Sequence, residues 1–96
     1  MKPSAASRFL GPAANPSREM ASIRWELARE AHVRLDVFDA LGRRIRTLVD
    51  GLRPEGAGSA LWDGVCSNGS RAAAGQYYLR FETPDGAERA SLTLVR

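Results

Sequence analysis

From residue 33 to residue 81 apolar side chains recur at every second position in short runs, and each run stops at a cluster of Gly, Asp, Asn or Pro. A period of two puts alternate side chains on opposite faces of an extended chain, so these runs predict strands that each bury one face. Val33, Leu35 and Val37 form one such face, with Arg34 and Asp36 pointing the other way. Tyr77, Leu79 and Phe81 form another, opposed by Tyr78 and Arg80, and Leu92 and Leu94 line the last strand. The DALG run at 39–42 and the PDG run at 84–86 read as turns, with Gly42 free to take the positive φ of a tight reversal. Ala60 and Trp62 share a face on a strand that stops at Asp63 and Gly64. Short strands with turns at regular intervals predict an all-β, antiparallel, Ig-like or fibronectin-like sandwich of six or seven strands.

Two segments need a choice. Residues 17–31 have helix-favouring composition, yet Ile23, Trp25 and Leu27 alternate with Arg24 and Glu26. Strand is the better reading, because neighbouring strands need a partner and local preference is a weak guide. Ile45 to Val49 reads as a short strand whose Ile45–Leu48 spacing breaks the alternation, as a bulge or an early end would. A loop is expected around Asp50, Gly51 and residues 54–56. Burial is expected at Ile23, Trp25, Leu27, Val33, Leu35, Val37, Trp62, Tyr77, Leu79, Leu92 and Leu94.

The chain has 96 residues, enough for one domain with one core. Three of its five prolines lie in residues 1–16, so residues 1–14 read as a linker or lead-in, with Phe9 and Leu10 able to pair as a short strand. Residues 15–96 form the sandwich. The first twenty residues hold neither a signal-peptide pattern nor a membrane-length apolar run, so for work outside the cytoplasm either a longer parent polypeptide carries the export signal or Met1 is an artificial or truncated start. A single cysteine, Cys66, makes no internal disulfide and reads as an incidental surface residue. The net charge of +3 rests on fourteen Arg and Lys, thirteen of them Arg, and predicts no nucleic-acid partner: no aromatic platform is interleaved with the basic cluster.

Several pieces then fall in a characteristic order: Asn15-Pro16, IRWEL at 23–27, VRLDVFDALGRRIRTLVDG at 33–51, LWDG at 61–64, SNGSRAAAGQYYLRF at 67–81 and SLTLVR at 91–96. Together they resemble the Ig-like domain family named after flagellar hook-capping proteins and the related carboxy-terminal tails of bacterial secreted proteins, type IX secretion sorting domains among them. Two positions depart from that pattern: Ser17 stands where an aromatic residue often follows the Asn-Pro pair, and Cys66 where a polar or acidic residue is usual. The resemblance implies attachment, assembly or export recognition and no catalysis.

Candidate chemistry is sparse. His32 lacks any signature of a nucleophile and carboxylate gathered around it, and one His with one Cys falls short of a zinc set. Asp63, Asn68 and Asp85 sit in Gly-containing turns, where Asx capping explains them better than calcium. No cofactor and no metal is expected. Arg43, Arg44 and Arg46, with Arg53, form the densest basic cluster and read as a solvated strand edge, with recognition by an export machine left open. Tyr78, Phe38 and Leu61 lie opposite core-facing neighbours, either as an exposed apolar patch or beneath loops. The interaction residues expected are therefore Arg43, Arg44, Arg46 and Tyr78, with Thr93, Val95 and Arg96 of the closing segment 91–96.

The function the resemblance implies is that of a non-catalytic carboxy-terminal module of a secreted or surface bacterial protein, serving export recognition, anchoring or packing against a passenger domain. Its partners would be a passenger domain of the parent polypeptide or secretion and anchoring machinery, with no membrane insertion. The alternative is a structural assembly module of the hook-capping type that self-associates.

Overall fold

The computed structural model describes residues 7–96, in which eight strands form two facing sheets and no helix occurs. In chain order they are β1 (Arg8–Pro12), β2 (Ser17–Arg18), β3 (Ala21–Leu27), β4 (Ala31–Asp39), β5 (Arg44–Arg53), β6 (Gly56–Trp62), β7 (Gly75–Thr83) and β8 (Gly86–Val95). One sheet has the order β1-β3-β6 and the other β2-β8-β7-β4-β5. All pairings are antiparallel except β2 with β8.

The ambiguous segment is a strand: residues 21–27 alternate strictly between buried and exposed. All eleven residues expected in the core are buried, joined by Ala21, Val49, Ala72 and Phe81. Trp25 stacks on Phe81 at 5.7 Å between ring centroids, and Phe81 on Phe9 at 5.0 Å. Trp62 meets Tyr77 edge-on at 5.3 Å. Aromatic pairs of this geometry contribute beyond the area they bury.

The short strand expected at Phe9 and Leu10 is β1, which pairs with β3 and brings Phe9 against the core; residues 1–6 of the lead-in lie outside the described residues. Two expectations need correction. β5 does not stop near Val49 but continues through Asp50 and Gly51 to Arg53, because β4 supplies partners as far back as Ala31. Its broken alternation comes from two irregularities. Leu35 faces Val49 while Asp36 faces Thr47, leaving Leu48 over, and Val37 faces Arg46 while Phe38 faces Arg44, leaving Ile45 over. The extra residues let Ile45, Leu48 and Val49 all reach the core. Finally, Cys66 is not an incidental surface residue: its side chain is half-buried against the core, and the thiol is free.

The turns are held by side chains that cap backbone groups. Asp39 Oδ1 accepts from the Leu41 and Arg43 N–H groups at 3.0 and 2.9 Å, and Oδ2 accepts from Arg43 Nε at 2.8 Å. These donors hold the Asp39 carboxyl below its ordinary value, the Arg43 N–H foremost. At the Trp-Asp-Gly corner, the Val65 carbonyl accepts from Trp62 Nε1 at 3.0 Å and from Arg46 Nη1 at 2.6 Å. Asp63 Oδ1 accepts from the Val65 N–H at 3.0 Å, and Gly64 takes a φ of 77° that only glycine adopts without strain. The Tyr77 hydroxyl donates to the Ala73 carbonyl, pinning the preceding loop, and burial pushes that phenol up.

Candidate interaction surface

Each sheet turns one face away from the core, and the two outer faces differ in character. On the five-stranded sheet the outward side chains of β4 and β7 pair in register: Arg34 with Glu82, Asp36 with Arg80, Phe38 with Tyr78. β8 extends the rows, setting Arg89 beside Arg80 and Ser91 beside Tyr78, and β5 sets Asp50 beside Arg34 and Arg44 beside Phe38. The face is polarised along the strands.

At one end the charges are matched. Asp36, buried although it lies on the outer face, accepts from Arg34 Nε at 2.9 Å and from Thr47 Oγ1 at 2.6 Å. Arg34 also reaches Asp50 at 3.5 Å, and its guanidinium is held more firmly protonated, first by the hydrogen bond to Asp36. His32 Nε2 lies 2.7 Å from Asp50 Oδ1, both side chains largely exposed, in a hollow with Arg34, Glu82, Thr83 and Pro84. Among the described residues no Ser or Cys lines this hollow, and Thr83 Oγ1 instead accepts from the Asp85 N–H at 3.1 Å. The pair lacks the activated nucleophile a triad needs.

At the other end aromatic rings and guanidiniums surround an open hollow of about 160 Å³ lined by Phe38, Gly42, Tyr78, Leu79, Arg80 and Arg89. Tyr78 is 44% exposed. Arg80 pairs with Glu82 at 3.0 Å, whereas Arg44 and Arg89 have no carboxylate partner among the described residues.

The expected interaction residues divide into two groups. Tyr78 and Arg44 lie on this face, and Thr93 lies at its far margin, where its hydroxyl bonds Gln76 at 2.9 Å and its N–H donates to Asn15 Oδ1 at 2.9 Å. Arg43, Arg46 and Arg96 are instead tied into the fold. Arg43 closes the Asp39 turn, Arg46 reaches Asp63 and the Val65 carbonyl, and the Arg96 guanidinium donates to the Gly64 and Ala72 carbonyls. Val95 is half-buried, and its carbonyl accepts from the Glu19 N–H at 2.9 Å. The apolar patch expected from Phe38, Tyr78 and Leu61 is split: Leu61 lies on the three-stranded sheet opposite Ser22. Arg80, Arg89 and Gly42 were not among the interaction residues expected from sequence. A signal existed, because alternation puts Arg80 beside Tyr78 outward, and a two-residue turn at Pro84 and Asp85 sets Arg89 opposite Arg80.

Asn15 explains the Asn-Pro lead-in. Its amide donates to the Ser91 carbonyl at 3.3 Å and accepts from the Thr93 N–H, occupying the free edge of β8 before β2 takes over at Leu94 and Val95. The Asn15-Pro16 peptide bond is cis. Side chain and short strand together shield an edge open to further pairing.

Comparison with known proteins agrees with this geometry. No curated protein matches the chain. Among solved structures, dimeric latent PorU from Porphyromonas gingivalis matches 93% of this chain with a TM-score of 0.71 at 18% identity. PorZ of the same organism, an essential bacterial surface component of the type IX secretion system, matches 88% with a TM-score of 0.61, also at 18% identity. The chain spans 9% of the PorU chain and 11% of the PorZ chain, so the likeness is to one small domain of each and concerns the fold. A family model, the FlgD Ig-like domain, matches residues 11–87. The chain belongs to the FlgD Ig-like domain family.

Proposed function

We propose that this domain is a non-catalytic, carboxy-terminal Ig-like module of a secreted or surface bacterial protein, gripped through the outer face of its five-stranded sheet. The partner is a passenger domain of the same polypeptide or a component of export or anchoring machinery. The observation that carries this reading is the Phe38–Tyr78 hollow, with Arg89 on its wall and Arg44 beside Phe38, neither paired with a carboxylate among the described residues, an aromatic and basic surface separate from the core that holds the sandwich together. Family membership and the small share of PorU and PorZ that the fold represents support a module within larger proteins. The carboxylates support a passive role as well: Asp36, Asp39 and Asp63 are occupied in capping and ion pairs rather than converging on an open cleft.

The test is export of a reporter enzyme fused ahead of the domain in a bacterium with a type IX system. Deleting residues 91–96 is uninformative, because it removes the buried Leu92 and Leu94 and unfolds the sheet. Surface variants Tyr78→Ser and Arg44→Glu keep the core intact. Reporter on the surface or in the medium, reduced by these variants, is the expected result; retention of the unaltered fusion inside the cell refutes the reading.

A second reading, self-association, is favoured by β6. This edge strand carries no charged residue from Gly56 to Trp62, an unguarded edge of the kind that pairs with another copy. A strictly monomeric mass at millimolar concentration refutes it.

A further inference from the structure

We propose that the Phe38–Tyr78 hollow binds an extended acidic segment of a partner polypeptide, laid across the strands, with one apolar side chain in the hollow and a carboxylate on either side. This names the chemistry of the partner and rests on the module reading above. The hollow, about 160 Å³, has apolar walls from the rings of Phe38 and Tyr78 and a bare wall at Gly42. A cavity of roughly 150 Å³ accommodates a single benzene-sized group, so one aromatic or branched aliphatic side chain is the natural occupant.

Charge sets the rest. Arg44 on β5 and Arg89 on β8 flank the hollow from opposite sides, and neither has a carboxylate partner among the described residues. The nearby acids are engaged: Asp36 with Arg34 and Thr47, Asp39 with Arg43, Glu82 with Arg80. Three strand intervals separate β5 from β8, about 14 Å, and Arg89 stands one row of about 7 Å along β8 from Ser91, which shares the row of Tyr78, Phe38 and Arg44. The two arginines therefore lie on a diagonal of about 16 Å that their long side chains shorten by leaning over the hollow. An extended chain rises about 3.3 Å per residue and repeats its face every second residue, so positions i and i+4 lie about 13 Å apart on one face with i+2 between them. The geometry therefore selects an acidic–x–apolar–x–acidic pattern. Free phosphate or an anionic lipid surface satisfies the arginines and leaves the hollow unfilled.

The probe is the capped pentapeptide Glu-Ser-Phe-Ser-Glu, titrated into the whole ¹⁵N-labelled domain while amide and arginine Nε–H resonances are followed. Saturable shifts are expected at Phe38, Gly42, Tyr78, Arg80 and Arg89, fading as salt is raised. Binding is expected to weaken about 2- to 30-fold for the Gln-Ser-Phe-Ser-Gln peptide, and similarly for Arg89→Glu, an exposed site whose reversal leaves the core untouched. Equal affinity for the Gln peptide, shifts confined to other surfaces, or no shift at millimolar peptide overturns the proposal. Co-sedimentation with phosphatidylglycerol vesicles in the absence of any peptide response overturns it in favour of a lipid surface. Failure here leaves reporter export unaffected as a test of the module reading, and failed export with intact peptide binding refutes that reading alone.

Discussion

Gly58 lies on β6 directly opposite Trp25 on β3, and the indole covers it so closely that a β-carbon there would sit 2.4 Å from Nε1, 2.5 Å from Cε2 and 2.7 Å from Cζ2. Trp25 is 1% exposed and stacked on Phe81, which is itself stacked on Phe9, so the indole has no room to retreat. The φ of Gly58 lies outside the left-handed region, so alanine is compatible with its backbone. If space were available, Gly58→Ala would stabilise the fold by about 0.4–1 kcal/mol by restricting the unfolded chain. Overpacking a core of this kind costs about 1–3 kcal/mol. The clash therefore wins, with a net loss of about 1–2 kcal/mol and a fall in Tm of roughly 5–15 °C for a domain of this size. Thermal melts followed by circular dichroism and tryptophan fluorescence read the effect. Trp25 Nε1 is also a buried donor without a partner among the described residues, so Trp25→Phe removes an orphaned group along with the steric conflict. In that background Gly58→Ala is expected to cost less than half as much. A Gly58→Ala protein that melts above the parent, or loses the same amount in both backgrounds, refutes the reasoning.

Three further outcomes follow from the same structure. Trp62→Ala removes a fully buried indole that bonds the Val65 carbonyl and is expected to cost about 3–5 kcal/mol, leaving the domain unfolded or barely folded in chemical denaturation. Asn15→Ala strips the edge of β8 of its side-chain partner and is expected to lower stability by about 1 kcal/mol, with faster hydrogen exchange at the Thr93 amide. Hydrogen bonds, the Arg43 N–H foremost, hold the folded Asp39 carboxyl below its ordinary value, so its stabilising contribution is complete above the ordinary value and is lost as pH falls through the lower folded one; Tm measured from pH 6 to pH 2 should fall less steeply in Asp39→Asn than in the parent.

The core was legible because its information is local. Alternation along 23–27, 33–37 and 77–81 states which side chains face inward, and the Asp39–Gly42 and Pro84–Gly86 turns fix how the strands reverse. Where a strand carries extra residues, periodicity loses its meaning, and the length of β5 becomes visible only through its pairing with β4. The strand β1 gives a short apolar signal at Phe9 and Leu10 within a proline-rich lead-in, but the place of Phe9 in the core is visible only in its stacking on Phe81. Of the proposed interaction surface, the placement of the side chains was half legible. Tyr78 announces itself as an aromatic residue on the wrong side of a strand, but four arginines that look alike in sequence have different tasks. Arg43, Arg46 and Arg96 fix backbone carbonyls and turns, while Arg44 stays free, and the distinction rests on partners 17 or more residues away for Arg46 and Arg96. The burial of Asp36 depends likewise on Thr47 of a neighbouring strand.

Site-specific photo-cross-linking in the living bacterium tests most directly whether the five-stranded face is where this module is held. A benzophenone amino acid replaces Tyr78 in the natural polypeptide, and the same probe at Leu61, 58% exposed on the opposite sheet, serves as the comparison. A covalent adduct is expected from position 78, identified by mass spectrometry as the passenger domain or an export or anchoring component, and little from position 61. Adducts of equal yield at both positions, or at 61 alone, contradict that expectation.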